Sequence, residues 1–348
     1  MAKISFLMPV FNGAEFLRQT LDSLLIQDFD DYDIHIIDDG STDESAQIIN
    51  DLHSDKIHYH AQQNAGLVAA LNNGLSRLDC KYVARIDADD ICYPNRLSRQ
   101  LDFLQFTQAD VVSCKAVHID ELGHPLGISG VSNVYDPDPE WLPPKEPYLS
   151  HPFMFGRLDV LAQTGYRDAH LSEDADLCWR LFDTHRLAVQ NAILGEYRLH
   201  LNSVSAMDVI AGRVQAFYAA LAALNAKRRA QHRDEIDYDK SLAQSKQAAT
   251  HIDGLLALFA DQLNAQEQTY LRAAACMKLL HLARWRGYDI SMDDVTAAKR
   301  AVKQMKPLPA EIAQDTAQII AEAELRLSQN DEPAQNILSR ITGLFGKT

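Results

Sequence analysis

The first two hundred residues alternate two kinds of apolar pattern. "KISFLMPVF" is a nearly continuous apolar run, as in a strand buried on both faces. "GAEFLRQTLDSLLIQ" then carries Phe16, Leu17, Leu21, Leu24 and Leu25 at helical spacing. "YDIHIIDDGSTDESAQIINDL" repeats the order. A strand ends at Ile37, a turn runs through Gly40, and Ser41 or Thr42 caps a helix with acidic residues in its first turn. "KIHYHAQ", a helix through "LVAALNNGLSRL", and "YVARID" continue the series. This alternation predicts a parallel sheet with helices on both faces, and such sheets bind ligands outside the carboxyl ends of their strands. The segments at those ends are "PVFNG", "DDGSTD", "QNAGL" and "DADD", which the topology gathers into one candidate site.

After about residue 205 the strand signals stop. "VQAFYAALAALNAKRRAQ", "HIDGLLALFADQL" and "YLRAAACMKLLHLARWR" are helical in composition and period, with breakers such as "KPLP" between them. The expectation is two domains, 1–205 of α/β type and 206–348 an α-helical bundle of five or six helices. The terminal "ILSRITGLFGK" is amphipathic with a basic tip, suited to packing on its neighbours or to lying on a membrane surface.

Charge sharpens the division. The chain of 348 residues has a formal charge of −15, which argues against a nucleic-acid partner. Nearly all of it sits in 1–205, at about −16, against about +1 in 206–348. No apolar run approaches the about 20 residues of a membrane span, and "MAKISFLMPVF" does not read as a signal peptide. A cytoplasmic location follows as the expectation, with peripheral contact at the inner membrane left open. Cys80, Cys92, Cys114, Cys178 and Cys276 form no CxxC pair and read as small core residues.

The concentration of carboxylates in "YVARIDADD" needs a physical reason, because packed like charges repel. If the chain stays extended past Ile86, Asp87 and Asp89 point the same way, and two carboxylates on one side suit a hard divalent cation completed by phosphate oxygens. Taken alone, a DxD is as often a solvated turn.

In order and separation, "SFLMPVFNG", "IIDDGSTD", "NAGLVAALNNGL" and "ARIDADDICYPNRL" resemble the inverting family 2 glycosyltransferases of GT-A fold, over about residues 3–205. The resemblance implies a Rossmann-like, mostly parallel sheet with flanking helices, and a nucleotide-sugar donor, usually a UDP-sugar. It implies Pro9, Phe11, Asn12 and Glu15 beside the nucleoside, Asp39 at the base edge, and Asn64, Gly66 and Leu67 along the same pocket. Asp87 and Ala88 fall on the donor side. Asp89 becomes the principal ligand of Mn²⁺ or Mg²⁺, which would stabilise the departing diphosphate. Asp87 touches ribose or the metal through water, and Asp90 caps the next element.

An acceptor hydroxyl must lose its proton as it attacks, so a second carboxylate has to stand apart from the metal. "LSEDADLCWRLF" supplies Glu173 and Asp174 at a helix start. By the resemblance Asp174 is the general base and Glu173 orients the acceptor; otherwise the pair is ordinary N-terminal helix charge. The resemblance extends to "EYRLHLNSVS", where it implies that Arg198 pairs with phosphate oxygens and that His200 ligates the metal or touches the diphosphate; otherwise His200 is structural. His151 in "LSHPFMFGR" is assigned to the acceptor. The Pro-rich "VYDPDPEWLPPKEP" reads as a loop that is mobile until donor binds.

The implied activity is sugar transfer to a glycan or lipid-linked acceptor in bacterial surface polysaccharide synthesis. A dinucleotide oxidoreductase is disfavoured because GxGxxG is absent, and a nucleotidyltransferase because "PVFNGAEF" lacks a Gly-rich, Arg-containing loop. The alternative of another class is a non-catalytic nucleotide-sugar-binding or assembly protein on the same fold. The helical half would then bind acceptor or partners, or hold a homodimer.

Overall fold

The computed structural model describes residues 2–129, 136–200, 208–286, 288–305 and 307–328, so the terminal amphipathic stretch lies outside the described residues. The chain divides into two compact units. One comprises Met1–Tyr135, Tyr148–Arg167 and Arg180–Leu199; the other comprises Asp136–Pro147, Asp168–Trp179 and His200–Thr348.

The first unit holds one nine-stranded sheet. Its opening strands are β1 (Ile4–Val10), β2 (Tyr32–Asp38), β3 (Ile57–Ala61) and β4 (Tyr82–Arg85). β1 runs parallel to β2 and β4, and β2 parallel to β3. Beyond β4 the sheet becomes mixed, in the order β3-β2-β1-β4-β8-β6-β9-β5, with β7 paired to β6. The added strands are β5 (Ile91–Cys92), β6 (Val111–Ile119), β7 (Pro125–Ser129), β8 (Phe155–Arg157) and β9 (Leu187–Arg198). β8 is antiparallel to both β4 and β6, whereas β9 is parallel to β6.

Helices cover the sheet as the apolar spacing predicts. Leu17, Leu21 and Leu24 of α1 (Ala14–Leu25) join Phe6, Met8, Ile34 and Ile36 in one buried cluster. α3 (Leu67–Arg77) approaches β1 at Gly74, where an added methyl group would overlap Leu7 and crowd Ile37. α4 (Arg96–Thr107) tucks Arg96 completely inside. Its guanidinium donates to the Arg85 carbonyl at 2.6 Å and lies over Phe153. Between them come α2 (Ser45–Asn50) and, later, α5 (Leu158–Thr164); the division between the units falls within α6 (Glu173–Thr184), after Trp179.

The second unit packs α7 (Val209–Ala230), α8 (Leu242–Ala248), α9 (Ile252–Ala257), α10 (Ala265–Arg286), α11 (Met292–Gln304) and α12 (Ala310–Ser328). α7 is long and apolar enough to cross a membrane, but 83% of its most apolar window is buried within the fold, as in the central helix of a bundle. Two ion pairs are buried beside it, Arg213 with Asp294 and Arg228 with Glu267. Burial alone would raise the Glu267 pKa. Hydrogen bonds from Arg228, the Asn264 backbone and Arg233 outweigh burial and pull it down to about 2.

Residues 136–147 form a loop, as their prolines suggested, and it is anchored at several points. Leu142 is fully buried in the helical core, Trp141 donates to Asp315 at 2.8 Å, and the Tyr270 hydroxyl donates to the Pro139 carbonyl. All five cysteines are buried and none is in a disulfide, as expected of small core residues.

Candidate active site

β1 and β2 end in loops that satisfy each other's backbone. At the start of α1 the N–H groups of Asn12, Gly13 and Ala14 donate to Ser41 Oγ, Ser45 Oγ and Asp43 Oδ2, at 2.9, 3.0 and 3.0 Å. Asn12 Oδ1 in turn accepts the Thr42 N–H. Ser41 is therefore not the cap of the following helix, which begins at Ser45. It helps cap α1 from across the sheet. Pro9 is buried within β1, while Phe11, Asn12 and Glu15 are exposed at its end.

Asp39 is buried and draws a third segment in. Its carboxylate accepts from the backbone of Ala65 at 2.9 Å and Gly66 at 2.8 Å, and from the Gln62 side chain at 2.7 Å. Gly40 must be glycine: its φ is +81°, and a Cβ there would stand 2.9 Å from the Asn64 backbone nitrogen. Asn64 and Gly66 are exposed beside it, and Leu67 opens α3. Asp38, overlooked in the sequence, accepts from the Tyr59 hydroxyl and the Ser41 N–H.

The acidic segment is not extended. β4 stops at Arg85, and residues 87–90 turn back, with the Asp90 N–H directed at the Asp87 carbonyl. It is this turn, not strand alternation, that brings one carboxylate oxygen from each of Asp87, Asp89 and Asp90 within 4.8 Å of one another. The Thr20 hydroxyl of α1 holds the Ala88 carbonyl at 2.9 Å.

Buried arginines compensate this charge. Arg85 makes a two-pronged pair with Asp87, at 2.7 and 2.6 Å. Its presence inside a buried strand was the overlooked signal, because a charge there requires a partner. Arg198 is fully buried and donates to the carbonyls of Asp89, Asp120 and Glu121 and to Gln19 Oε1. That leaves it little to offer a phosphate; it holds the acidic turn instead. Asp90 is not a cap. It is completely buried, with Oδ1 accepting the Arg198 N–H and Oδ2 lacking a hydrogen-bond partner among the described residues. Burial, then the charges of Asp89 and Asp87, push its pKa well above the usual carboxylate range.

The remaining candidates fall elsewhere in the chain. His151 is turned inward, its Nε2 at 2.9 Å from the Tyr166 hydroxyl, and burial followed by the Arg85 charge holds its pKa well below that of a free histidine. This inward packing stands in place of the acceptor contact expected of it. Glu173 and Asp174 form the first turn of α6, where Asp174 Oδ1 accepts the Ala175 N–H at 2.8 Å. Asp176 on the same turn is buried and accepts from the Tyr238 hydroxyl. His200, half-buried, follows β9.

The profile of glycosyl transferase family 2 matches residues 5–164. EpsE of Bacillus subtilis (strain 168), assigned as a glycosyltransferase, is 30% identical over 189 residues, 52% of this chain and 67% of that protein. This chain belongs to glycosyl transferase family 2. RP339, a glycosyltransferase of Rickettsia prowazekii (strain Madrid E), is 36% identical over 125 residues, 35% of this chain; the match spans only 39% of RP339. The crystal structure of S. aureus TarS 1-349 superposes with a TM-score of 0.54 over 88% of this chain and 93% of that one, at 17% identity. The mannosyltransferase PcManGT of Pyrobaculum calidifontis gives 0.53 over 99% and 88%, at 15% identity. At such identities the likeness establishes the fold: a GT-A sheet with flanking helices, followed by a helical region.

Proposed function

We propose that this chain is a metal-dependent inverting glycosyltransferase, moving a hexosyl group from a nucleotide sugar, a UDP-sugar in the first instance, to a hydroxyl of a glycan or lipid-linked acceptor. The observation that carries the reading is the convergence of Asp87, Asp89 and Asp90 in one turn. An all-oxygen donor set with a buried, unpartnered Asp90 oxygen fits a hard cation such as Mn²⁺ or Mg²⁺. Asp89 would be the principal ligand, with Asp87 already tied to Arg85. A bound cation there would supply charge stabilisation to the departing diphosphate. TarS has been solved with UDP-GlcNAc, and PcManGT with GDP-Man and Mn²⁺, which puts such ligands first among those to try.

In this reading the acceptor oxygen attacks the anomeric carbon from the face opposite the diphosphate. The new C–O bond forms as the bond to phosphate breaks, and the hydroxyl proton passes to Asp174. Glu173 orients the acceptor. Asp39 serves the base edge, and three hydrogen bonds to its carboxylate tie its loop to residues 62–66. Arg198 acts at one remove, as a positioning residue for the acidic turn.

The test is a pair of variants. Asp174→Asn should keep metal-dependent donor binding and lose transfer, whereas Asp89→Ala should weaken both. Donor binding is read by thermal stabilisation with UDP-, GDP- and dTDP-sugars in the presence of Mn²⁺ or a chelator. Full transfer by Asp174→Asn removes the base, and donor affinity unaffected by chelator removes the metal.

A further inference from the structure

The β3 edge of the sheet carries a second cluster of ligand-type side chains. Asp33 and His35 are two apart on β2, and His58 and His60 are two apart on β3. The parallel register pairs His35 with His58 and Ile37 with His60, so all four side chains share one face of the sheet at its β3 edge. Asp33 Oδ2 lies 3.4 Å from His35 Nε2 and 3.7 Å from His58 Nε2, and one ligand atom from each residue falls within 4.8 Å of the others.

We propose that Asp33, His35 and His58 bind a zinc-like divalent cation, with His60 as the outer partner of His35. Around a tetrahedral ion with bonds of about 2.0–2.1 Å, ligand atoms stand about 3.3 Å apart, so the observed spacing needs to change by only a few tenths of an ångström at the measured edges. Two imidazoles and a carboxylate are donors that a first-row metal such as Zn²⁺ prefers, whereas Mg²⁺ and Mn²⁺ favour oxygen sets. The second ring nitrogen is also accounted for. His35 Nδ1 is 3.3 Å from His60 Nε2, so a His35 that ligates through Nε2 carries its proton on Nδ1 and donates it to His60. The other Asp33 oxygen, Oδ1, is buried without a well-aligned hydrogen-bond partner among the described residues, although the Ser5 hydroxyl lies close enough to the carboxylate to help lower its pKa, so room for an ion's charge remains on that side.

The proposed ligands are other residues than the acidic turn after β4. Asp33 precedes Asp38 by five residues on one strand, about 16 Å at about 3.3 Å per residue, and His35 precedes Asp38 by three, about 10 Å. Bound there, the ion would clamp edge strand β3 to β2, and a position left for a fourth ligand would face solvent beside the half-exposed His58. The proposal does not depend on the transferase reading.

The experiment uses the full chain without an affinity tag, stripped with chelator and dialysed, then titrated with ZnCl₂ by calorimetry and with Co²⁺ by visible absorption. The wild type should bind one Zn²⁺ saturably, show the intense visible bands of low-coordinate Co²⁺, and melt at a higher temperature with Zn²⁺. Asp89→Ala should retain all three properties. His58→Ala and His35→Gln should lose saturable binding, and His60→Ala should weaken it by about 10- to 100-fold, as removal of an outer partner does. Because the His58 side chain is 45% exposed, its replacement leaves the metal-free fold intact and carries the test should His35→Gln fail to fold. Equal Zn²⁺ binding by wild type and His58→Ala, or no saturable binding by wild type, overturns the proposal.

Discussion

Arg198 donates its backbone N–H to Asp90 Oδ1 at 2.9 Å and its Nε–H to the Asp89 carbonyl, also at 2.9 Å. One residue at the end of β9 thus grips two successive residues of the acidic turn, although 108 positions separate Arg198 from Asp90. Its stacking over Phe16 and its bond to Gln19 tie the same guanidinium to α1. The carboxylates are presented by a frame of buried hydrogen bonds.

Replacing that guanidinium should therefore damage the fold as well as binding. Arg198→Lys leaves several buried carbonyls unsatisfied, at a cost of about 3 kcal/mol. Urea denaturation should show that loss, with metal-dependent donor affinity falling in parallel. A variant of unchanged stability and reduced donor affinity would instead make Arg198 a phosphate contact.

The loop after β2 gives a second prediction. Ala at position 40 must adopt φ near +81° with its methyl against the Asn64 nitrogen. Gly40→Ala should cost about 2 kcal/mol, more than the usual gain from stiffening the unfolded chain. Because Asp39 fixes the 62–66 loop from the adjacent position, donor affinity should fall too. The check is denaturation together with donor titration.

Capping across the sheet is separately testable. Asp43 Oδ2 accepts the Ala14 N–H and Oδ1 that of Ser45. Asp43→Ala should destabilise by about 1 kcal/mol, the worth of a helix cap. Asp43→Asn should recover only part of it in thermal melts, since one acceptor oxygen remains while the amide NH₂ faces the other N–H.

What could be read from the chain follows physical range. Periodicity is local, so β1 to β4, α1, α3 and the helical second unit were legible. β6 and β9 pair across seventy residues with register shifts, and nothing local in "VVSCKAVHI" or "LAVQNAILGEYR" announces their order in the sheet. The acidic cluster was legible as chemistry. Its geometry was not, because the turn is fixed by Arg85 from within the strand, Thr20 from α1 and Arg198 from β9, all but Arg85 distant in sequence. The cap assigned to Ser41 failed for the same reason: its oxygen serves a helix that begins 27 residues earlier.

The last prediction concerns pH and the helical unit. His281 lies in α10, and burial first, then the positive charges of Lys278 and Arg284, lower its pKa to about 4, with Asp315 acting weakly in the other direction. Its unfolded pKa is near 6.5. Between those two values the unfolded chain binds a proton that the folded chain refuses, so stability is full above pH about 6.5 and declines as pH falls toward about 4. The loss should total about 3 kcal/mol. Denaturation measured from pH 7.5 to 4.5 should show this slope in the wild type, and His281→Phe should reduce it in that window, leaving in place the share from His151, whose pKa is also lowered, and the separate loss from Glu267 between about 4.5 and about 2. An unchanged slope in His281→Phe would move the acid sensitivity to another group.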